Sequence, residues 1–280
     1  MRSYPVLRPA TLALTLPTSL DVPALEHRIR DIASRSQYGW GHTIDFGGFR
    51  VEGLLGDAYL SIAGGFDQFG WWPARLDGLA VADVGCFSGG LSLLAAQRGA
   101  RVVYAVDEIP EHLEQCRLLV DAVGATNVRP LLRSVYDLSQ DIPRRSLDIV
   151  VLSGVLYHLS DMLVGLYVLR ELLKPGGTLL IESNGVDDST HSYANFGRFY
   201  GGMWWQPTGL CIADMCSYMG YDGAQVEFYL PDRCIARATA TDRPITYRRG
   251  LNVAFESLRD GAVRSLDPAI MAPAPVVDRR

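Results

Sequence analysis

Leu79-Ala-Val-Ala-Asp-Val-Gly-Cys-Phe-Ser-Gly89 is the stretch that decides the fold. Its run 80–84 is short and apolar but for Asp83, as in a strand covered on both faces. It breaks at glycines 85 and 89, and a helical stretch, 89–98, follows at once. The same alternation repeats outward from there. Strands are predicted at 80–84, 102–106, 128–132, 149–153 and 178–183, with helices over 89–98, 110–123 and 162–173. Alternating strands and helices predict a doubly wound, Rossmann-like α/β fold with a mostly parallel seven-stranded sheet. Two further strands, 224–230 and 234–240, are expected to add an antiparallel edge hairpin after a helix at 208–219.

Outside this block the chain reads less regularly. Residues 22–37 predict a helix with Asp21 as N-cap and Leu25, Ile29 and Ile32 on one face. The glycine- and aromatic-rich segment between Tyr38 and Trp72 reads as an entrance or lid, too short to bury a core of its own. Residues 184–205 read as a glycine- and aromatic-rich loop. The expected division is therefore 1–75 as N-terminal helix and lid, 76–245 as the cofactor-binding domain, and 246–280 as a loose tail.

Composition bounds the function. At 280 residues, 48% hydrophobic and 20% charged, the chain is globular with a substantial core. A net charge of -5 provides no positive field, so nucleic acid is disfavoured as a partner without being excluded. Five widely spread cysteines form no C-x-x-C pair and read as reduced core residues of a cytoplasmic protein. No segment reads as a membrane span. The acidic and histidine residues form no metal-ligand set; Asp187-Asp188 read as a solvated loop. Oligomeric state is open, a homo-oligomer included.

The turn after the first core strand reads D-x-G-x-x-x-G, from Asp83 to Gly89, with Cys86 and Phe87 between the glycines. Glycines there let a ligand approach main-chain N–H groups. Asp107 and Glu108, about 20 residues on, suit ribose hydroxyls. The G-x-G-x-x-G spacing needed for a pyrophosphate is absent, which disfavours NAD and FAD. The order of these motifs, with Arg133-Ser-Val-Tyr-Asp-Leu138, Ser153-Gly-Val-Leu-Tyr-His158 and Leu172-Leu-Lys-Pro-Gly-Gly-Thr-Leu-Leu180, resembles the class I S-adenosylmethionine-dependent methyltransferases over residues 79–183. Gly154-Val-Leu-Tyr-His158, Trp40-Gly-His42 and Arg198-Phe-Tyr-Gly-Gly-Met-Trp-Trp-Gln-Pro207 look closer still to the tRNA wobble-uridine carboxymethyltransferase-like family.

The resemblance implies S-adenosylmethionine as donor and S-adenosylhomocysteine as product. It sets Gly85 beside the methionine part, Asp107 and Glu108 at the ribose, Val135 and Tyr136 at the adenine, and Ser153 and Tyr157 near the sulfonium, with Ser134 a further cofactor-binding residue. The carboxymethyl-transferring members use an entrance lysine and an arginine on the extra donor carboxylate. This chain has no lysine before Lys174, and only Arg233 resembles that arginine. The expected reaction is methyl transfer to O or N of a small metabolite, in secondary-metabolite biosynthesis. The alternatives are tRNA wobble-uridine (carboxy)methyl transfer, and cofactor binding without transfer.

Histidine is the side chain suited to accept a hydroxyl proton near neutral pH. His158, after the fourth core strand, is the first candidate base and His42 the second, with Tyr157 orienting. His27 and His112 sit on predicted helices and are set aside, as is His191. Phe46, Tyr193, Arg198, Tyr200, Trp204, Trp205 and Arg233 are the candidate acceptor-binding residues.

Overall fold

The computed structural model describes residues 3–200 and 202–243, the side chain of Tyr200 excepted; the expected tail, 246–280, lies outside the described residues. The N-terminal part comprises α1 (Val22–Arg35), β1 (Ile44–Asp45), β2 (Arg50–Val51) and α2 (Ala58–Gln68). The alternating block follows: β3 (Ala80–Val84), α3 (Gly90–Gln97), β4 (Val102–Asp107), α4 (Pro110–Val123), β5 (Val128–Leu132), β6 (Leu147–Ser153), α5 (Met162–Leu172) and β7 (Leu173–Asn184). The last elements are β8 (Ala194–Tyr200), β9 (Met203–Pro207), α6 (Gly209–Tyr218), β10 (Tyr221–Leu230) and β11 (Arg233–Ala240).

Seven strands form one sheet in the order β10-β11-β7-β6-β3-β4-β5. β3 through β7 run parallel, and β11 runs against both β7 and β10. This is the mostly parallel Rossmann-like arrangement expected from the sequence. All five residues of β3 are buried, which is why the run is apolar without alternation except at Asp83, whose carboxylate is held by Ser92. From β3 the chain winds out to β4 and β5, then returns to β6 on the other side. The crevice between those two directions is where such sheets bind ligands. Punctuation is local: Asp21 accepts from Ala24 N–H at α1, Pro110 starts α4, and Gly124 ends it at φ 65°.

Two expectations need correction. The segment between Tyr38 and Trp72, read as an entrance or lid, is also part of the core. It holds β1, β2 and α2, and its Ile44, Ala63 and Phe66 are wholly buried in the same core as Val81 and Leu94. It needs no core of its own because α2 packs on α3 and β11. Residues ahead of α1 cross α2 closely: Ala10 N–H donates to Leu60 O at 2.8 Å, and a Cβ on Gly64 would lie 1.6 Å from the Arg8 carbonyl oxygen. The second correction concerns 184–205, read as loop, where β8 and β9 pair as an antiparallel hairpin. Its alternation is hidden because the register shifts between Phe196 and Tyr200, where Arg198 and Phe199 take φ of 51° and 59°. Among the described residues no helix is long and apolar enough to cross a membrane.

Candidate functional site

The C-terminal ends of β3, β4 and β6 open on a cavity of about 820 Å³, within the roughly 300–1,000 Å³ of small-molecule sites. The turn after β3 is built from left-handed residues, Gly85 at φ 76° and Gly89 at 84°, with Phe87 at 50°. Its amides were expected to face a ligand, and four of them do not. Gly85 and Cys86 N–H both donate to Val106 O (2.8 and 2.9 Å), and Gly89 N–H donates to Cys86 O (2.7 Å). Phe87 N–H donates to Asp107 Oδ2 at 3.0 Å, which offsets its left-handed backbone. The glycines act sterically instead. A Cβ on Gly85 would sit 2.1 Å from Val155 Cγ2, and one on Gly89 2.7 Å from Cys116 Sγ.

Asp107 ends β4 with its carboxylate held on both oxygens, Oδ1 accepting from Ile109 N–H and Oδ2 from Phe87 N–H. A carboxylate has about four acceptor positions, so capacity for ligand hydroxyls remains. Asp107 lines the cavity, as do Asp83, Gly85, Cys86, Phe87, Glu108, Val135 and Ser153. Asp83 is buried beneath the turn, accepts from Ser92 Oγ at 2.6 Å, and is pushed up to about 6 by burial. Gly89, Ser134 and Tyr136 are not in the wall. Tyr136 Oη instead accepts from Asp161 N–H and donates to Asp161 O, tying down the loop ahead of α5.

Both candidate histidines line the cavity, in opposite states. His42 is buried against Tyr59, with ring centroids 4.6 Å apart, and burial lowers it to about 4. Gly90 N–H, at the start of α3, donates to His42 Nδ1 at 3.2 Å. The neutral ring then carries its proton on Nε2 and donates there, which is the wrong polarity for a base. His158 is exposed, and its Nδ1 lies 2.7 Å from Gly202 O. A carbonyl only accepts, so Nδ1 carries the proton and Nε2 is left as the acceptor. Tyr157, packed on His158 at 4.1 Å, accepts from Arg233 Nη1 at 3.3 Å; burial pushes its hydroxyl up, so it stays protonated.

The acceptor-side residues are scattered. Arg233 lines the cavity, and so does Phe199. Trp204 and Trp205 pack behind it with Phe196, and Trp205 Nε1–H donates to Ser160 O at 3.1 Å. Tyr193 and Arg198 are exposed and outside the wall, and Phe46 is buried in the core against Phe49. The side chain of Tyr200 lies outside the described residues.

Three contributions went unseen in the sequence. α2 supplies Tyr59 and Ile62 to the wall; their spacing with Ala63 and Phe66 is i, i+3, i+4, i+7, a helical signal that was available. His112, set aside as a helix residue, is buried at the wall with Nδ1 3.4 Å from Asp107 Oδ1. Glu182, wholly buried, takes Arg233 in a two-point pair (Nε–H to Oε1 and Nη2–H to Oε2, both 2.7 Å) and a further bond from Tyr229 Oη at 2.9 Å. Burial opposes the charge on Arg233, but this carboxylate overcomes it and holds the guanidinium above its ordinary value.

Comparison with known proteins agrees with this architecture. Residues 82–179 match the methyltransferase domain family. The chain is 29% identical over 150 residues to a tRNA U34 carboxymethyltransferase of Desulfotalea psychrophila, covering 52% of this chain and 46% of that one. It is 35% identical over 137 residues to a ubiquinone biosynthesis O-methyltransferase of Xanthomonas campestris pv. campestris, covering 46% and 56%. It thus spans about half the length of these curated relatives. Among solved structures it is similar to the N-terminal domain of EvdMO1 with SAH bound. That match has a TM-score of 0.62 at 16% identity, over 79% of this chain and 98% of that one, a likeness of fold.

Proposed function

Residues 82–179 are a class I S-adenosylmethionine-dependent methyltransferase domain, and on that premise we propose that the protein methylates an oxygen or nitrogen of a small metabolite with His158 as the base. The observation that carries this is the Nδ1–H···O=C bond to Gly202, which in the neutral ring makes Nε2 the acceptor nitrogen on a side chain that lines the cavity.

The wall fits the donor. All the residues named here line the cavity: Asp107 and Glu108 would take the ribose hydroxyls, Val135 and Ile109 the adenine, Gly85 the amino-acid part and Ser153 the region of the sulfonium. S-adenosylmethionine, when bound, supplies a methyl carbon already activated by its sulfonium. What remains for the protein is alignment and proton removal. His158 Nε2 would accept the proton that the acceptor atom gives up. Tyr157 packs on that histidine, and Arg233 presents N–H groups beside it.

Methyl rather than carboxymethyl transfer is favoured because Arg233 is already engaged by Glu182, and Lys174 is paired with Asp148 instead. A tRNA acceptor is the second reading, resting on the similarity to the carboxymethyltransferase. Its test is retardation of tRNA at low salt, with loss as salt rises.

Calorimetry with S-adenosylhomocysteine comes first. A mass-spectrometric screen of metabolite extracts then looks for a product heavier by about 14 Da, one CH₂, formed only with the donor present. Absence of binding to both donor and product removes the reading. That product separates transfer from mere cofactor binding, and the same assay run on His158→Ala tests the base role.

A further inference from the structure

Beyond the turn after β3, the strongest chemical grouping on the cavity wall is one that no motif marks: Glu182 on β7 with Arg233 on β11, joined by Tyr157 and Tyr229. Strand register creates it. Glu182 faces Ile235 and Arg233 faces Asn184 across the antiparallel β7/β11 ladder, so the two are diagonal neighbours on one face of the sheet. The carboxylate has no exposure, whereas the guanidinium side chain keeps 26% of its surface. Both line the cavity, and Arg233 presents the greater surface there.

The hydrogen-bond inventory shows what this does. A guanidinium has five N–H groups. Nε–H and one Nη2–H go to Glu182, and one Nη1–H goes to Tyr157 Oη. The remaining N–H groups are donors for an oxygen of a bound molecule, but the charge that would select an anion is already cancelled two-point by Glu182. A buried carboxylate without its cation, or a buried cation without its carboxylate, carries a large desolvation cost. Together they form a neutral, donating wall.

We propose that Glu182 is a specificity-determining residue. By neutralising Arg233 it makes this end of the cavity select acceptors that offer an uncharged oxygen, such as a carbonyl, amide or hydroxyl, beside the reacting atom, and refuse carboxylates. This rests on the methyl-transfer reading for the identity of the cavity. Glu182 touches no substrate in this scheme; it acts through Arg233.

The test uses the full chain saturated with S-adenosylhomocysteine, and two probes of nearly equal shape, 4-hydroxybenzamide and 4-hydroxybenzoate. Binding is followed by ligand-observed NMR titration. Glu182→Gln keeps the side-chain shape and the Tyr229 contact but removes the negative charge. The expected result is a gain of roughly tenfold or more in 4-hydroxybenzoate affinity over the unsubstituted protein, from a newly available charge-assisted bond. Affinity for 4-hydroxybenzamide is expected to stay the same.

No gain for the carboxylate, or an equal gain for both probes, overturns the proposal. So does an unsubstituted protein that binds the carboxylate the more tightly. Should Glu182→Gln fail to fold, the double variant Glu182→Gln, Arg233→Met, which removes both charges, is expected to rank the probes as the unsubstituted protein does, and a preference for the carboxylate there is equally fatal. An unsubstituted protein that binds no S-adenosylhomocysteine sinks the methyltransferase reading itself, a result distinct from any change in probe ranking.

Discussion

Asp83 and His42 flank the turn after β3 from below and above, both buried, and they are shifted toward neutrality by the same cause. Burial raises Asp83 from 3.8 to about 6. Between those values the folded chain holds a proton that the unfolded chain has released, so stability falls as pH rises. At about 1.4 kcal/mol per pH unit the loss comes to about 3 kcal/mol. Burial lowers His42 from 6.5 to about 4. There the unfolded chain binds the extra proton, so stability falls as pH drops, again by about 3 kcal/mol. From pH 4 to 6 the two slopes oppose each other and largely cancel. Asp83→Asn removes one of them. The unfolding free energy from urea titrations, measured at intervals from pH 4 to pH 7 on both proteins, is expected to show the variant gaining on the unsubstituted protein as pH rises. The gain should reach about 3 kcal/mol across that range, over any constant offset from the altered Ser92 bond. A difference between the two proteins that does not change with pH would refute the argument, because Asp83 would then titrate alike in folded and unfolded chains.

Three further outcomes follow from the geometry. Gly85→Ala places a Cβ 2.1 Å from Val155 Cγ2 at φ 76°; it is expected to cost about 2–4 kcal/mol in thermal or urea unfolding and to abolish calorimetric binding of S-adenosylhomocysteine. His158→Ala is expected to lower kcat roughly 10²- to 10⁴-fold while leaving the affinity for S-adenosylhomocysteine intact, and a parallel loss of both would deny it the base role. Asp107→Ala removes the acceptor of Phe87 and Ile109 N–H and, on the proposed reading, of the ribose hydroxyls. It should weaken S-adenosylhomocysteine binding roughly 10- to 150-fold by calorimetry, and unchanged binding would move the ribose elsewhere.

The cofactor half of the site was legible because its signals are local. Asp83, Gly85 and Gly89 fall within seven residues, and the strand before them and helix after them follow from periodicity alone. Even there the reading of the turn was incomplete. The amides assigned to a ligand are spent on Val106, Asp107 and Cys86, and a glycine pattern states only that no Cβ fits, not which partner excludes it. Sequence ranked His158 ahead of His42 as the base by its place after a core strand, without sight of either ring's partner. What separates them is which backbone group reaches Nδ1, the N–H of Gly90 in one case and the carbonyl of Gly202 in the other.

By itself the sequence determined the parallel sheet, the order of its strands along the chain, the glycine turn and the acidic residue after β4, since each depends on neighbours a few positions away. Only the tertiary structure decided that α2 belongs to the cavity wall, that the aromatic hairpin stands largely behind it, and that Glu182 meets Arg233. Those two residues lie 51 positions apart. Composition and periodicity carry no record of which strands pair or in what register, and the charge at the acceptor end of the cavity is set by that pairing.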